Sequence, residues 1–143
     1  MTSSLNSPAA SAEFTKSWVF PAADADRLQA YACDFEKPFW ADFAVQGNTR
    51  TITLPPYAGG VVATETLRQH DAAGYEYGMQ GVENIAAYTG SFAVEAAGEE
   101  QVRLVWRIAF TYRRGSKALV RVAKLFARAT PVMTKALRGE FEG

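Results

Sequence analysis

Five short runs of alternating or continuous apolar character, at about 49–54, 61–69, 74–79, 87–95 and 101–112, are followed by a single stretch with helical spacing from about Ser116 to Arg138. That order constrains the fold more than any other feature. The punctuation is hairpin chemistry: PPYAGG at 55–60, Asp71-Ala72-Ala73-Gly74, Gly81 to Asn84, and Ala96-Ala97-Gly98-Glu99. Leu119, Val122, Leu125, Phe126, Ala129, Met133 and Leu137 form one apolar stripe on the final helix, which predicts that it lies on the sheet. Lys117, Arg121, Lys124, Arg128, Lys135 and Arg138 form the opposite, solvated face. Pro131 is expected to kink this helix.

Upstream, Glu13 to Phe20 alternates and Pro21 stops it, which reads as a first strand at 13–20. Ala25, Leu28, Tyr31, Ala32 and Phe35 then follow helical spacing, with Asp24 as the expected N-cap of a helix over 24–34. Pro38 forces a break, Phe39-Trp40 starts a short helical turn or loop, and Asp42–Gln46 reads as a second strand closed by the Gly47-Asn48 turn. The total is seven strands. Residues 1–12 hold Leu5 as their only large aliphatic after Met1 and are expected to be a flexible tail, leaving 13–143 as a single domain.

Charge narrows the partners. The formal net charge is zero, but residues 1–112 carry seven basic and thirteen acidic side chains whereas 113–143 carry eight and two. The basic excess therefore belongs to the final helix, and neither nucleic acid nor stable membrane insertion is expected. One cysteine and one histidine leave no disulfide and no zinc-type cluster, so no metal and no cofactor is expected. With no secretory pattern at its start, the expected location is the cytoplasm. A monomer or a homodimer fits equally.

Several motifs, in order, resemble a known superfamily: Pro21 before a helix ending in Asp34-Phe35, Trp40, Gly47-x-x-Arg50-x-x-x-Leu54, Gly59-Gly60-x-Val62-x-x-Glu65-x-Leu67-x-x-x-Asp71, Tyr75-x-Tyr77, Tyr88-x-Gly90 and Val105-Trp106-x-x-x-Phe110. Over roughly residues 13–138 the chain resembles the bacterial SRPBCC superfamily, and within it the polyketide cyclase/dehydratase-like branch. The resemblance implies an α+β helix-grip fold: a seven-stranded curved antiparallel sheet around a long C-terminal helix, with short helices after the first strand. It also implies a cavity between sheet and helix that holds a hydrophobic or aromatic small molecule. Cyclisation or dehydration of a polyketide-like compound is one implied function, and a non-catalytic carrier or sensor of small molecules or lipids is the other. At 83–86 the chain has Glu-Asn-Ile-Ala where the family has a branched aliphatic and proline, which makes that turn more polar than the pattern implies.

Strand arithmetic singles out one polar pair. If 55–60 connects two strands, Leu54 faces Val61, Ile52 faces Ala63, and Arg50 faces Glu65 on the apolar side. Such a pair is either a rim salt bridge, worth about 0–1 kcal/mol, or an interior contact to a ligand, with Arg50 holding an oxyanion and Glu65 orienting it or moving a proton. Tyr75, Tyr77 and Tyr88 lie on inward faces and are candidates for positioning a ligand; so is Trp106, in step with Leu104, Ile108 and Phe110. Trp40 and Tyr57, in or beside loops, are candidates for the entrance that the resemblance implies. Nothing in the sequence brings His70, Asp71 and Cys33 together as a nucleophilic site.

Overall fold

The structure is a computed structural model that describes residues 8–142. Strands β1 (Ala9–Pro21), β2 (Ala44–Gln46), β3 (Thr49–Thr53), β4 (Val62–His70), β5 (Gly74–Gln80), β6 (Ile85–Ala96) and β7 (Gln101–Arg113) form one antiparallel sheet. Its order is β1-β7-β6-β5-β4-β3-β2. Helix α1 (Ala25–Ala32) follows β1, and α2 (Ala118–Phe141) ends the chain. This is the curved sheet and long terminal helix expected of a helix-grip protein.

β1 starts at Ala9, four residues before the expected boundary, so 9–12 are strand rather than tail. Residues 1–7 of the expected tail lie outside the described residues. Small residues at 9–12 carry little strand propensity of their own; pairing with Phe110 to Arg113 of β7 recruits them. Asp24 is the N-cap residue of α1, as expected, but its side chain makes no capping bond. A 3-10 turn at Ala22–Asp24 precedes it, and the Ala25 amide already bonds to the Ala22 carbonyl. Residues 33–43 form neither helix nor strand, so Phe39-Trp40 is loop.

α2 continues through Pro131. Both Pro131 and Ala127, the residue whose carbonyl loses its donor, are on the exposed side of the helix. The inner side buries Ala118, Val122, Met133 and Leu137. It meets the sheet directly, with Phe126 stacked on Trp106 at 4.6 Å and on Phe14 at 5.4 Å. Further along, Trp18 Nε1 donates to Thr134 Oγ1 at 2.8 Å, tying β1 to the helix.

Two register shifts bend the sheet, one in β4 between Leu67 and Gln69 and one in β6 between Ala86 and Thr89. Ala87, inside the second, has φ +50°. The β3–β4 register is the one that the hairpin arithmetic predicts: Ile52 opposite Ala63 and Arg50 opposite Glu65. That register sets the interior chemistry.

Candidate functional site: a caged guanidinium

Arg50 is fully buried. Its Nε donates to Glu65 Oε1 at 2.7 Å, and its Nη1 donates to the Phe35 carbonyl at 2.9 Å and to the Tyr75 hydroxyl at 3.3 Å. Nη2 has no partner; among the described residues it is the buried side-chain nitrogen or oxygen left without one. Five rings surround the guanidinium carbon: Phe35 at 4.2 Å, Phe43 at 4.8 Å, Tyr77 at 5.1 Å, Trp40 at 5.2 Å and Tyr75 at 5.4 Å. Aromatic faces attract a cation at this range but cannot accept its remaining N–H bonds as an oxygen would.

A second polar string runs beside the cage. Trp106 Nε1 donates to the Tyr77 hydroxyl at 3.2 Å, and the Tyr77 and Tyr88 rings lie 6.2 Å apart. Phe92 stacks on Trp106 at 5.7 Å and Trp40 leans on Phe92 at 5.0 Å, which closes the layer above the sheet. The space that the resemblance implies as a cavity is occupied around Arg50 by these rings.

Burial dominates the electrostatics. It pushes the Glu65 carboxyl above the ordinary carboxylate range, against the opposing charge and hydrogen bond of Arg50. For Arg50, burial works against the charge, but Tyr75 and Glu65 outweigh it and the guanidinium stays cationic. Tyr75, Tyr77 and Tyr88 are all raised above the ordinary phenol value of 10.0, with burial the largest cause in each. Below pH 10 both folded and unfolded chains hold these three protons; above it the unfolded chain releases them first. Stability should therefore fall as pH rises past 10, by up to about 1.4 kcal/mol per pH unit for each group. Phenolate absorbance from these three residues should appear together with loss of structure in an alkaline titration monitored by circular dichroism, and not before it.

The structure thus gathers Arg50, Glu65, Trp40, Tyr75, Tyr77, Tyr88 and Trp106 into one interior region. Tyr57 stands apart. It packs in a second cluster with Leu54, Ala58 and Ala63, and its ring lies 4.9 Å from the Arg128 guanidinium of α2. Phe43 is a cage member that periodicity could not find, since it sits in the irregular segment 33–43, whereas Phe35 continues the helical spacing of α1 but lies just past the end of that helix.

No family model matches the sequence, and no curated protein matches it. Solved structures do. XoxI from Bacillus cereus superposes with a TM-score of 0.67 at 19% identity, over 91% of this chain and 95% of that one. The di-domain ARO/CYC protein StfQ of the steffimycin biosynthetic pathway gives 0.60 at 15% identity, over 92% of this chain and 51% of that one. The chain has the helix-grip fold. Norcoclaurine synthase from Thalictrum flavum, in complex with dopamine and hydroxybenzaldehyde, gives 0.57 at 13% identity, over 92% of this chain and 89% of that one. The helix-grip chain spans about half of StfQ, whose name specifies two domains.

On this helix-grip frame, Cys33, His70 and Asp71 border one space, which the sequence alone does not show, but they form no nucleophilic site. All three line one open cleft with Phe35 and Tyr75. The Cys33 thiol is nevertheless pushed up to about 12, by burial and then by Asp71, so it stays protonated and unreactive at neutral pH. Among the described residues no three His, Cys, Asp or Glu side chains form a metal-binding group, and no helix is long and apolar enough to cross a membrane.

Proposed function

We propose that this protein binds an aromatic small molecule carrying a phenolic or enolisable oxygen, and that it catalyses a cyclisation or dehydration of the polyketide type. The unpartnered Nη2 of a fully buried arginine carries the reading. An unmet buried donor costs about 1–3 kcal/mol, and a ligand oxygen supplies the missing acceptor. The aromatic walls supply contact area for a flat apolar body. The folds shared with StfQ and with norcoclaurine synthase, the latter solved with two aromatic ligands, support the same class.

The chemistry follows from charge development. As a carbonyl enolises, negative charge grows on its oxygen, and Arg50 Nη2 stabilises that charge more strongly than it does the neutral ground state. Glu65, raised by burial and already bonded to Arg50 Nε, takes and returns the proton. The hydroxyls of Tyr75, Tyr77 and Tyr88 hold further oxygens of the ligand in register. A metal ion or organic cofactor has no part in these steps.

The test uses 2-naphthol as probe and tryptophan fluorescence as readout, because the Trp40 ring lies against Arg50. Wild-type protein should bind it, and the paired change Arg50→Met/Glu65→Leu should weaken binding at least tenfold, the loss of one charge-assisted bond of about 1.5–3 kcal/mol. Equal affinity in both proteins would remove Arg50 from the site. Glu65→Gln separates enzyme from carrier: affinity should stay within a few-fold while cyclisation of a linear poly-β-ketone thioester is lost. If wild-type protein binds but never turns such a thioester over, it is a carrier.

A further inference from the structure

Resting on that reading, we infer that the ligand reaches Arg50 through the cleft between α1, the turn after it and the β4–β5 hairpin, with Phe35 as the movable half of its inner wall. This route differs from the entrance expected at Trp40 and Tyr57.

The cleft has a volume of about 450 Å³, and its lining includes Ala30, Asp34, Phe35, Glu36, Asp71 and Tyr75. That volume suits a two-ring aromatic compound. Phe35 and Tyr75 are common to the cleft and to the guanidinium cage, and they meet edge to face at 5.6 Å. Arg50 Nη1 holds both residues, through the Phe35 carbonyl and the Tyr75 hydroxyl. Nη2 is bonded to the same carbon as Nη1, so a molecule that parts these two rings arrives directly at the unmet donor. By contrast, Arg50, Tyr77, Tyr88 and Trp106 line none of five open clefts on the molecule.

The two halves of the wall differ in how they are held. Tyr75 lies on β5, paired on both sides with His70 and Phe92. Phe35 lies between α1 and β2 in a turn closed by the Lys37 amide on the Asp34 carbonyl and the Glu36 amide on Asp34 Oδ1. A turn of this kind opens at less cost than a strand inside a sheet. Phe35 therefore moves and Tyr75 stays.

The rim also sets the charge of what passes. Asp34, Glu36 and Asp71 contribute three carboxylates and no lysine or arginine lines the cleft. An anion formed in water is repelled there, whereas a neutral phenol or ketone passes and meets its cation only at Arg50. The favoured ligand is one that is neutral outside and acquires negative charge inside.

Stopped-flow tryptophan quenching tests this. Ala30→Phe narrows the cleft from an exposed position on α1 and should slow association of 2-naphthol at least fivefold. Phe35→Ala should speed association and dissociation at least fivefold. Ser11→Phe, in a different cleft, should leave both rates unchanged. At low salt 2-naphthoate should associate at least tenfold more slowly than 2-naphthol, and added salt should narrow that gap. If Phe35→Ala does not fold, Ala30→Phe still decides. Wild-type association rates in Ala30→Phe would overturn the route while leaving the Arg50 site intact, and equal rates for the two probes would overturn the role of the rim. Absence of quenching in wild-type protein would remove the binding reading itself, and the route with it.

Discussion

Glu65→Leu is expected to lower the free energy of unfolding by about 3–5 kcal/mol, because it leaves the Arg50 guanidinium buried without its counterion. Arg50 has no means of shedding its proton, so the cost should vary little between pH 5 and pH 8. Arg50→Met behaves differently. It strands Glu65, whose carboxyl burial already raises and which then loses the opposing influence of Arg50. With a folded pKa above the unfolded one, the variant is most stable below the unfolded value of about 4.5 and loses stability as pH rises through the folded value. Arg50→Met should therefore look mild at pH 5 and severe at pH 8 in urea titrations. Arg50→Met/Glu65→Leu removes both charges and should recover most of the loss, since a buried ion pair is seldom more stabilising than an apolar replacement. Stability recovered without ligand affinity would assign the pair to function. Simple additivity of the two single changes would instead show that the charges remain hydrated and uncoupled.

The pair was legible in the sequence because strands have a period of two and the connection at 55–60 has a fixed length; together these place Arg50 opposite Glu65 with no knowledge of anything distant. Tyr75, Tyr77, Tyr88 and Trp106 were legible by the same alternation. The cage as a whole was not. Phe35 and Phe43 come from a segment without repeating dihedrals, and their position depends on contacts that close only when α1 docks on the sheet. The gathering of Cys33, His70 and Asp71 around one cleft is likewise a product of tertiary packing. Local rules also overextended themselves at the start of the chain. Ala9 to Ala12 look like tail because their side chains are small, yet a sheet edge needs only backbone donors and acceptors to add a strand.

Gly90→Ala should be nearly as damaging as breaking the pair, at about 3 kcal/mol, although it adds a single methyl group. Gly90 of β6 stands opposite Tyr77 of β5, and the Tyr77 ring lies across it so closely that a Cβ would fall inside contact distance of the ring and hydroxyl. Tyr77 has nowhere to go. It is buried between Tyr75 at 5.9 Å and Tyr88 at 6.2 Å, it touches the Arg50 cage, and its hydroxyl accepts from Trp106. Overpacking alone costs about 1–3 kcal/mol, and each hydroxyl bond lost adds about 1 kcal/mol. Gly78→Ala provides the contrast. A Cβ there meets the guanidinium of Arg68, an exposed side chain that swings into water and gives up only its bond to Thr89; the loss should stay under about 1 kcal/mol. Shortening the obstructing ring in Tyr77→Leu/Gly90→Ala should return part of the stability that Gly90→Ala loses, which neither change alone predicts. Urea midpoints for the four proteins would decide the matter: a Gly90→Ala variant as mild as Gly78→Ala would mean that Tyr77 is free to move, and that the interior around Arg50 is looser than its packing implies.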